Sequence, residues 1–232
     1  MKSLAPKRES SALESFANVK LAPKRDSLVR RPRKVLVRFT RFAFAAIAVS
    51  ALGVPPAVLA TTYEIDPHHS TVAFAVKHML INTVRGTFKQ FMGVIQLDES
   101  DLTRSSVTVT IEGATIDTGF PRRDDDLRGP SFLDVAKFPE ISFVSTRVEK
   151  HAENFILVGS LTMHGVAREV RIPFAYNGKA TDQAGVTRIG MEGGLVINRQ
   201  DWGISYNKVL DNGGLVAANE VQIQLDVEAK KK

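Results

Sequence analysis

SSVTVTIE, residues 105–112, alternates without a break: Val107, Val109 and Ile111 fall on one side, Ser106, Thr108 and Thr110 on the other. Successive side chains of an extended chain point to opposite faces, so this period of two makes one apolar and one polar face. The same pattern recurs in both directions along the chain. Upstream, Thr71–His78 sets Val72, Phe74 and Val76 against Thr71, Ala73 and Ala75. Downstream, Glu169–Tyr176 carries Val170, Ile172, Phe174 and Tyr176, and Val221–Val227 carries Val221, Ile223, Leu225 and Val227.

Further strands are predicted at Val84–Leu97, Glu140–Glu149, Phe155–Met163 and Arg188–Ile197, with Gly86 and Gly93 as bends or bulges in the first of them. About eight strands joined by short turns, with no long helix, predict an all-β fold: one closed or nearly closed antiparallel barrel. One stretch departs from the period. Ile116–Pro139 has Pro121 near a helix start, charges at helical spacing, and Ser131 placed to cap a second short turn that stops before Pro139. It predicts a short helical insert over one barrel end, a natural lid.

The N-terminal quarter has a different character. Phe42–Val54 is an uncharged apolar run behind the basic Arg30, Arg31, Arg33 and Lys34, and Val58-Leu59-Ala60 follows Pro55-Pro56. That order is the signature of a secretory signal peptide, and the run is short of the roughly 20 residues a membrane span needs. The expected organisation is a disordered polar extension at 1–29, a Sec-type signal peptide at 30–60 cleaved after Ala60, and a barrel domain at 61–232. An uncleaved anchor is the other outcome, and it would leave the barrel on the same, exported side. LAPKRES at Leu4–Ser10 nearly repeats as LAPKRDS at Leu21–Ser27.

The formal net charge of +6 points at first to an acidic partner. Of the 31 Lys and Arg and 25 Asp and Glu, residues 1–60 hold 12 and 3, which leaves 19 and 22 for residues 61–232. The barrel domain is therefore mildly acidic, and a nucleic-acid partner, which would need a basic face, is not expected. The absence of cysteine excludes disulfides, zinc–thiolate sites and cysteine nucleophiles.

No nucleophile elbow, phosphate loop or metalloprotease helix is present, no motif nominates a cofactor, and no enzyme class is indicated. His69, His78 and His164 could meet as a metal centre, and a metal-dependent enzyme or metal-binding protein is the alternative reading. Their spacing is not diagnostic, and hydrogen-bonded histidines at strand ends account for them as well. Asp124-Asp125-Asp126 reads as a solvated helical face paired with neighbouring arginines. The aromatic residues of the barrel domain fit either a packed core or a wall around one ligand, and composition does not choose between these.

Four blocks do choose. YEIDPHHSTVAFAVKHMLINTVRGTFKQFMGVIQLD (63–98), IDTGFPRRDDDLRGPSFLDVAKFPEISFVST (116–146), LVGSLTMHGVAREV (157–170) and INRQDWGI (197–204) resemble, in order, the signature blocks of the YceI family. The resemblance covers residues 62–229. It implies an extended, lipocalin-like antiparallel barrel, usually periplasmic, whose apolar tunnel holds a polyisoprenoid or another long-chain amphiphile, with no established catalysis. The chain departs from the family pattern at His68, at Asp124–Asp126, at Leu133 and at Trp202.

On that resemblance Phe74, Val76, Phe88, Phe143, Leu161 and Phe174 are expected to line the lipid tail. His69, His78, Arg123, Asp124, Asn198 and Arg199 are expected at the mouth with the head group, unless Asp124 and Arg199 form a salt bridge that holds the lid. The partner expected is a long-chain isoprenoid or fatty-acyl lipid. A membrane would be met transiently as the lipid source, and the barrel edges would suit a homodimer.

Overall fold

The computed structural model describes residues 60–152, 154–207 and 216–232. The polar extension and the apolar segment expected to be a signal peptide lie outside the described residues, apart from Ala60.

The strands are β1 (Thr61–Ile65), β2 (Thr71–His78), β3 (Asn82–Phe88), β4 (Phe91–Leu97), β5 (Ser106–Glu112), β6 (Ile116–Asp117), β7 (Glu140–His151), β8 (Asn154–Met163), β9 (Val166–Thr181), β10 (Thr187–Asn198) and β11 (Ala217–Lys231). All neighbouring pairs are antiparallel. Eight of them close a ring in the order β1-β4-β5-β7-β8-β9-β10-β11, with β11 returning to β1. The expected barrel of about eight strands is therefore present. Strand β11 also carries β2, which leads to β3 and the short β6.

That branch has a local cause. One edge of β11 pairs with β10 from Glu220 to Lys230. Its other edge is shared, with β2 on residues 217–226 and β1 on residues 229–231. β1 and β2 thus form two halves of one bent strand, broken at Asp66–Ser70, where Pro67 has no N–H to give a ladder. Ser70 bridges the break by donating its Oγ–H to the Glu228 carbonyl and accepting from the Glu228 N–H.

Val84–Leu97, expected as one strand, is likewise two, interrupted at Lys89–Gln90. Gly86 and Gly93 are not bulges, for the register runs through both unbroken. Gly86 is instead a site of close approach: a Cβ there would lie 2.5 Å from Cζ of Phe74, directly across the ladder.

The insert forms one helix, α1 (Pro121–Arg128), with Pro121 in its first turn, where a missing N–H costs nothing. The second helical turn expected at Ser131 is an irregular turn. Pro130 and a left-handed Asp134 (φ 46°) prevent a helix there, and Leu133 N–H reaches back to the Leu127 carbonyl.

Two apolar clusters are buried. One, around Tyr63, Ile95, Leu97, Ile189 and Ala229, fills the end where β1 meets β11. The other, around Ile141, Phe143, Ile172, Trp202 and Ile204, lies toward the opposite end. Phe88, Val109, Ile111 and Leu225 touch both. Ile65, Val72 and Ile95 of the first and Ile141, Phe143 and Ile172 of the second line one open space.

Candidate functional site

The inward faces of the strands enclose a cavity of about 1090 Å³. Its wall follows the period of two. Val72, Phe74 and Val76 come from β2, Val107, Val109 and Ile111 from β5, Val170, Ile172 and Phe174 from β9, and Val221, Ile223, Leu225 and Val227 from β11. The face that alternation marks as apolar therefore surrounds a hollow, where a solid core would have interdigitated. Gly159 on β8 lets the wall lie flat, because the Phe143 ring covers the space a side chain would take.

Polar groups gather at one end. Lys77, His78, Arg122, Arg123, Asp125, Asp126, Arg199 and Asn207 line the cavity there, with Phe120, Phe132 and Tyr206 among them. Phe132 and Tyr206 pack edge to face, with ring centroids 5.4 Å apart. Away from this end only Glu192, beside Gly193 on β10, brings a charge to the lining.

The structure places all six expected tail residues, Phe74, Val76, Phe88, Phe143, Leu161 and Phe174, on the cavity wall. Of the six expected mouth residues, His78, Arg123 and Arg199 line the cavity and His69, Asp124 and Asn198 do not. His69 lies at the other end, where its Nδ1 is 3.0 Å from Asp66. Asn198 caps the 3₁₀ turn at Arg199–Trp202 by accepting from the Gln200 N–H.

Asp124 is buried, so the Asp124–Asp126 run is not wholly a solvated face. It accepts the Thr118 N–H at 2.9 Å and the Thr118 hydroxyl at 2.5 Å. Arg123 holds the same residue from its other side, donating Nε–H to Thr118 Oγ1 and Nη2–H to the Thr118 carbonyl. These bonds fasten the start of α1 to the chain leaving β6.

Arg199 does not pair with Asp124. It is 5 % exposed, and its guanidinium donates to the carbonyls of Ile204, Tyr206 and Ala218 and to Asn219 Oδ1. Burial alone pushes its pKa down, with no carboxylate to offset it. A desolvated cation satisfied by neutral acceptors leaves a positive potential at the mouth.

The three histidines of the metal alternative are not brought together. His164 bonds the Trp202 carbonyl through Nδ1 and packs against Phe138, and His78 is at the mouth. Among the described residues the one group with metal-ligand geometry is Asp66, His69 and Glu228. Arg188 already occupies it, with Nη1 2.8 Å from Asp66 and 2.7 Å from Glu228. That guanidinium, then His69, holds the Asp66 carboxyl far below the usual carboxylate range.

Sequence reasoning missed Lys77, Arg122, Asp125, Asp126, Tyr206 and Asn207 at the mouth. Their signal was position: Lys77 adjoins His78 at a strand end, and the others belong to the insert or to the segment after Ile204.

A closed antiparallel barrel around an apolar chamber, with its polar groups gathered at one end apart from Glu192, is a hollow barrel of lipocalin-like design. The chain belongs to the YceI-like domain family, whose model matches residues 63–229. A UPF0312 protein of Yersinia enterocolitica is 35% identical over 172 residues, which cover 73% of this chain and 86% of that relative. The crystal structure of BcnA from Burkholderia cenocepacia superposes with a TM-score of 0.61 at 25% identity, covering 71% of this chain and 98% of BcnA. A polyisoprenoid binding domain from Saccharophagus degradans shares the fold, with a TM-score of 0.55 at 14% identity over 75% of this chain and 99% of that domain.

Proposed function

We propose that this chain is a non-enzymatic carrier, exported to the periplasm by residues 30–60, that holds a long isoprenoid or similar amphiphilic lipid in its barrel. The observation that carries the reading is the apolar chamber of about 1090 Å³. Drug-sized ligands occupy pockets of about 300–1,000 Å³ that mix apolar walls with a few placed polar groups. This chamber is slightly larger than that range and keeps nearly all its polar groups at one end, which suits one long chain with a single polar terminus.

The energetics favour length over head-group chemistry. Each buried CH₂ contributes about 0.8 kcal/mol, less the cost of ordering a flexible chain. Phe74, Val76, Phe88, Phe143, Leu161 and Phe174 meet the tail. His78, Arg123 and Arg199 meet the head, and the uncompensated Arg199 favours an acidic or hydrogen-bond-accepting one. The polyisoprenoid-binding domain of Saccharophagus degradans, a barrel of the same fold, supports the ligand class.

The test is equilibrium binding of a polyprenol series, from farnesol to longer chains, in detergent-free solution. Affinity should rise with each isoprene unit until the chamber is full and then level off. Affinity independent of chain length would refute tail burial as the source of binding.

A further inference from the structure

The turn between β2 and β3 breaks two local rules together. His78–Ile81 is a tight turn closed by the Ile81 N–H on the His78 carbonyl, with Met79 and Leu80 both left-handed (φ 52° and 64°). Such a turn is ordinarily built from Asn and Gly, because a bulky residue at positive φ is strained. Here the strained positions hold Met and Leu, and the tip is in water: Leu80 is 69 % exposed and Ile81 82 %. The Leu80 and Ile81 side chains bury little against the barrel. An exposed apolar tip on a strained turn marks a contact surface.

Its surroundings say what it contacts. Lys77, at the cavity rim near the end of β2, and Arg85, on the neighbouring β3, are both exposed, and so is Arg122, which lines the same rim from the first turn of α1. Among the described residues none of the three makes an ion pair. Asp125 is engaged by Arg128, and among the described residues that line the cavity at this end Asp126 is the other carboxylate, against Lys77, Arg122, Arg123 and Arg199, so the described rim is positive. This is local, since residues 61–232 carry more acidic than basic side chains. Phe120 completes the rim: it is half exposed, and the chain before it runs beside Gly86 toward the tip.

We propose that the mouth docks on an anionic bilayer, with Leu80 and Ile81 entering the head-group–acyl boundary and Lys77, Arg85 and Arg122 meeting lipid phosphates. Apolar side chains inside a basic rim are the chemistry of interfacial binding, and each basic side chain near an anionic surface adds to it. The purpose of docking rests on the lipid-carrier reading, because it sets the chamber's open end against the source of its cargo. The docking itself is measured on vesicles free of isoprenoid, and polyprenol binding without vesicles, so each can fail alone.

The chain has no cysteine, so a single label can be placed at will. Ile81→Cys carries an environment-sensitive nitrobenzoxadiazole dye, with Asn82→Cys as a second tip site. Gln183→Cys, exposed in the β9–β10 turn at the opposite end, is the control. Phosphatidylcholine vesicles containing phosphatidylglycerol should blue-shift and brighten the tip labels and leave the control unchanged. Pure phosphatidylcholine should do neither. Lys77→Gln with Arg85→Gln should weaken the partitioning by about tenfold or more.

Three results would overturn the proposal. One is a tip label that stays in water even when the full chain floats with vesicles through its apolar residues 42–54. Another is an equal response to neutral and anionic vesicles. The third is a signal that grows with protein concentration in the absence of lipid, which would assign the hairpin to a second copy of the chain.

Discussion

Gly159→Ala should destabilise this barrel, although a strand glycine replaced by alanine ordinarily stabilises. The usual gain is about 0.5–1 kcal/mol, from the lost freedom of glycine in the unfolded chain. At Gly159 the new Cβ would lie 2.5 Å from Cζ of Phe143 and 2.5 Å from the Val144 carbonyl oxygen. The ring can swing into the chamber, but the carbonyl belongs to the neighbouring strand β7 and can move only with its backbone. Overpacking of this kind costs about 1–3 kcal/mol. The net is a loss of up to about 2.5 kcal/mol, or up to roughly 10 °C in Tm for a domain of this size. Thermal unfolding followed by circular dichroism reads the shift, and a polyprenol titration should show weaker binding because the displaced Phe143 ring intrudes on the wall. Adding Phe143→Leu should recover part of the Tm. A Tm at or above the parent's would refute the close-packed wall that defines the cavity's shape here.

Phe74→Asp, at a wall position on β2 inside the cavity, should abolish polyprenol binding, because an ionised carboxylate facing the tail would be desolvated; unchanged affinity would remove this wall from the ligand path. Arg199→Leu leaves the carbonyls of Ile204 and Tyr206 and the Asn219 amide oxygen without their donor. Denaturant unfolding should show a loss of about 3 kcal/mol, and a loss under about 1 kcal/mol would mean water replaces the guanidinium freely. Acid should unfold the barrel progressively below about pH 4. Arg188 lowers Asp66, Lys179 lowers Glu99, and Arg171 lowers Glu149 to about 2. Carboxyls depressed in the folded state bind protons first in the unfolded one, so their stabilisation is complete above the unfolded pKa and is lost as pH falls through the folded values. Asp66→Asn should flatten that slope, and an unchanged slope would remove the Arg188 cluster from the account.

Much of the barrel was legible because β2, β5, β9 and β11 are half-buried strands, each with one face turned inward, and such strands write a period of two into the sequence. What escaped was short or polar. β6 has two residues, too few for any period, and β1 has five, of which only Tyr63 and Ile65 mark the buried face. The hairpin of β9 and β10 continues past Tyr176 through Asn177–Thr181, where polar side chains face solvent on an extended ladder.

The hollow itself was not legible. The inward residues of a filled barrel and of an empty one obey the same alternation, and only the distance across the barrel separates them. The mouth was half legible for a related reason. Arg199 and His78 sit at ends of regular strands, where position follows from pattern. Asp124 is one of three consecutive carboxylates, and the eight-residue helix turns that one inward to meet Thr118 six residues earlier. No spacing in the sequence distinguishes it from Asp125 or Asp126.

The central claim is that the chamber holds a long apolar chain, and native mass spectrometry of the chain purified without detergent, followed by organic extraction, tests it most directly. An added mass at close to one per chain, released by extraction as a long-chain isoprenoid or acyl compound, is expected. A clean apo mass, unshifted after incubation with polyprenyl lipids, would contradict it.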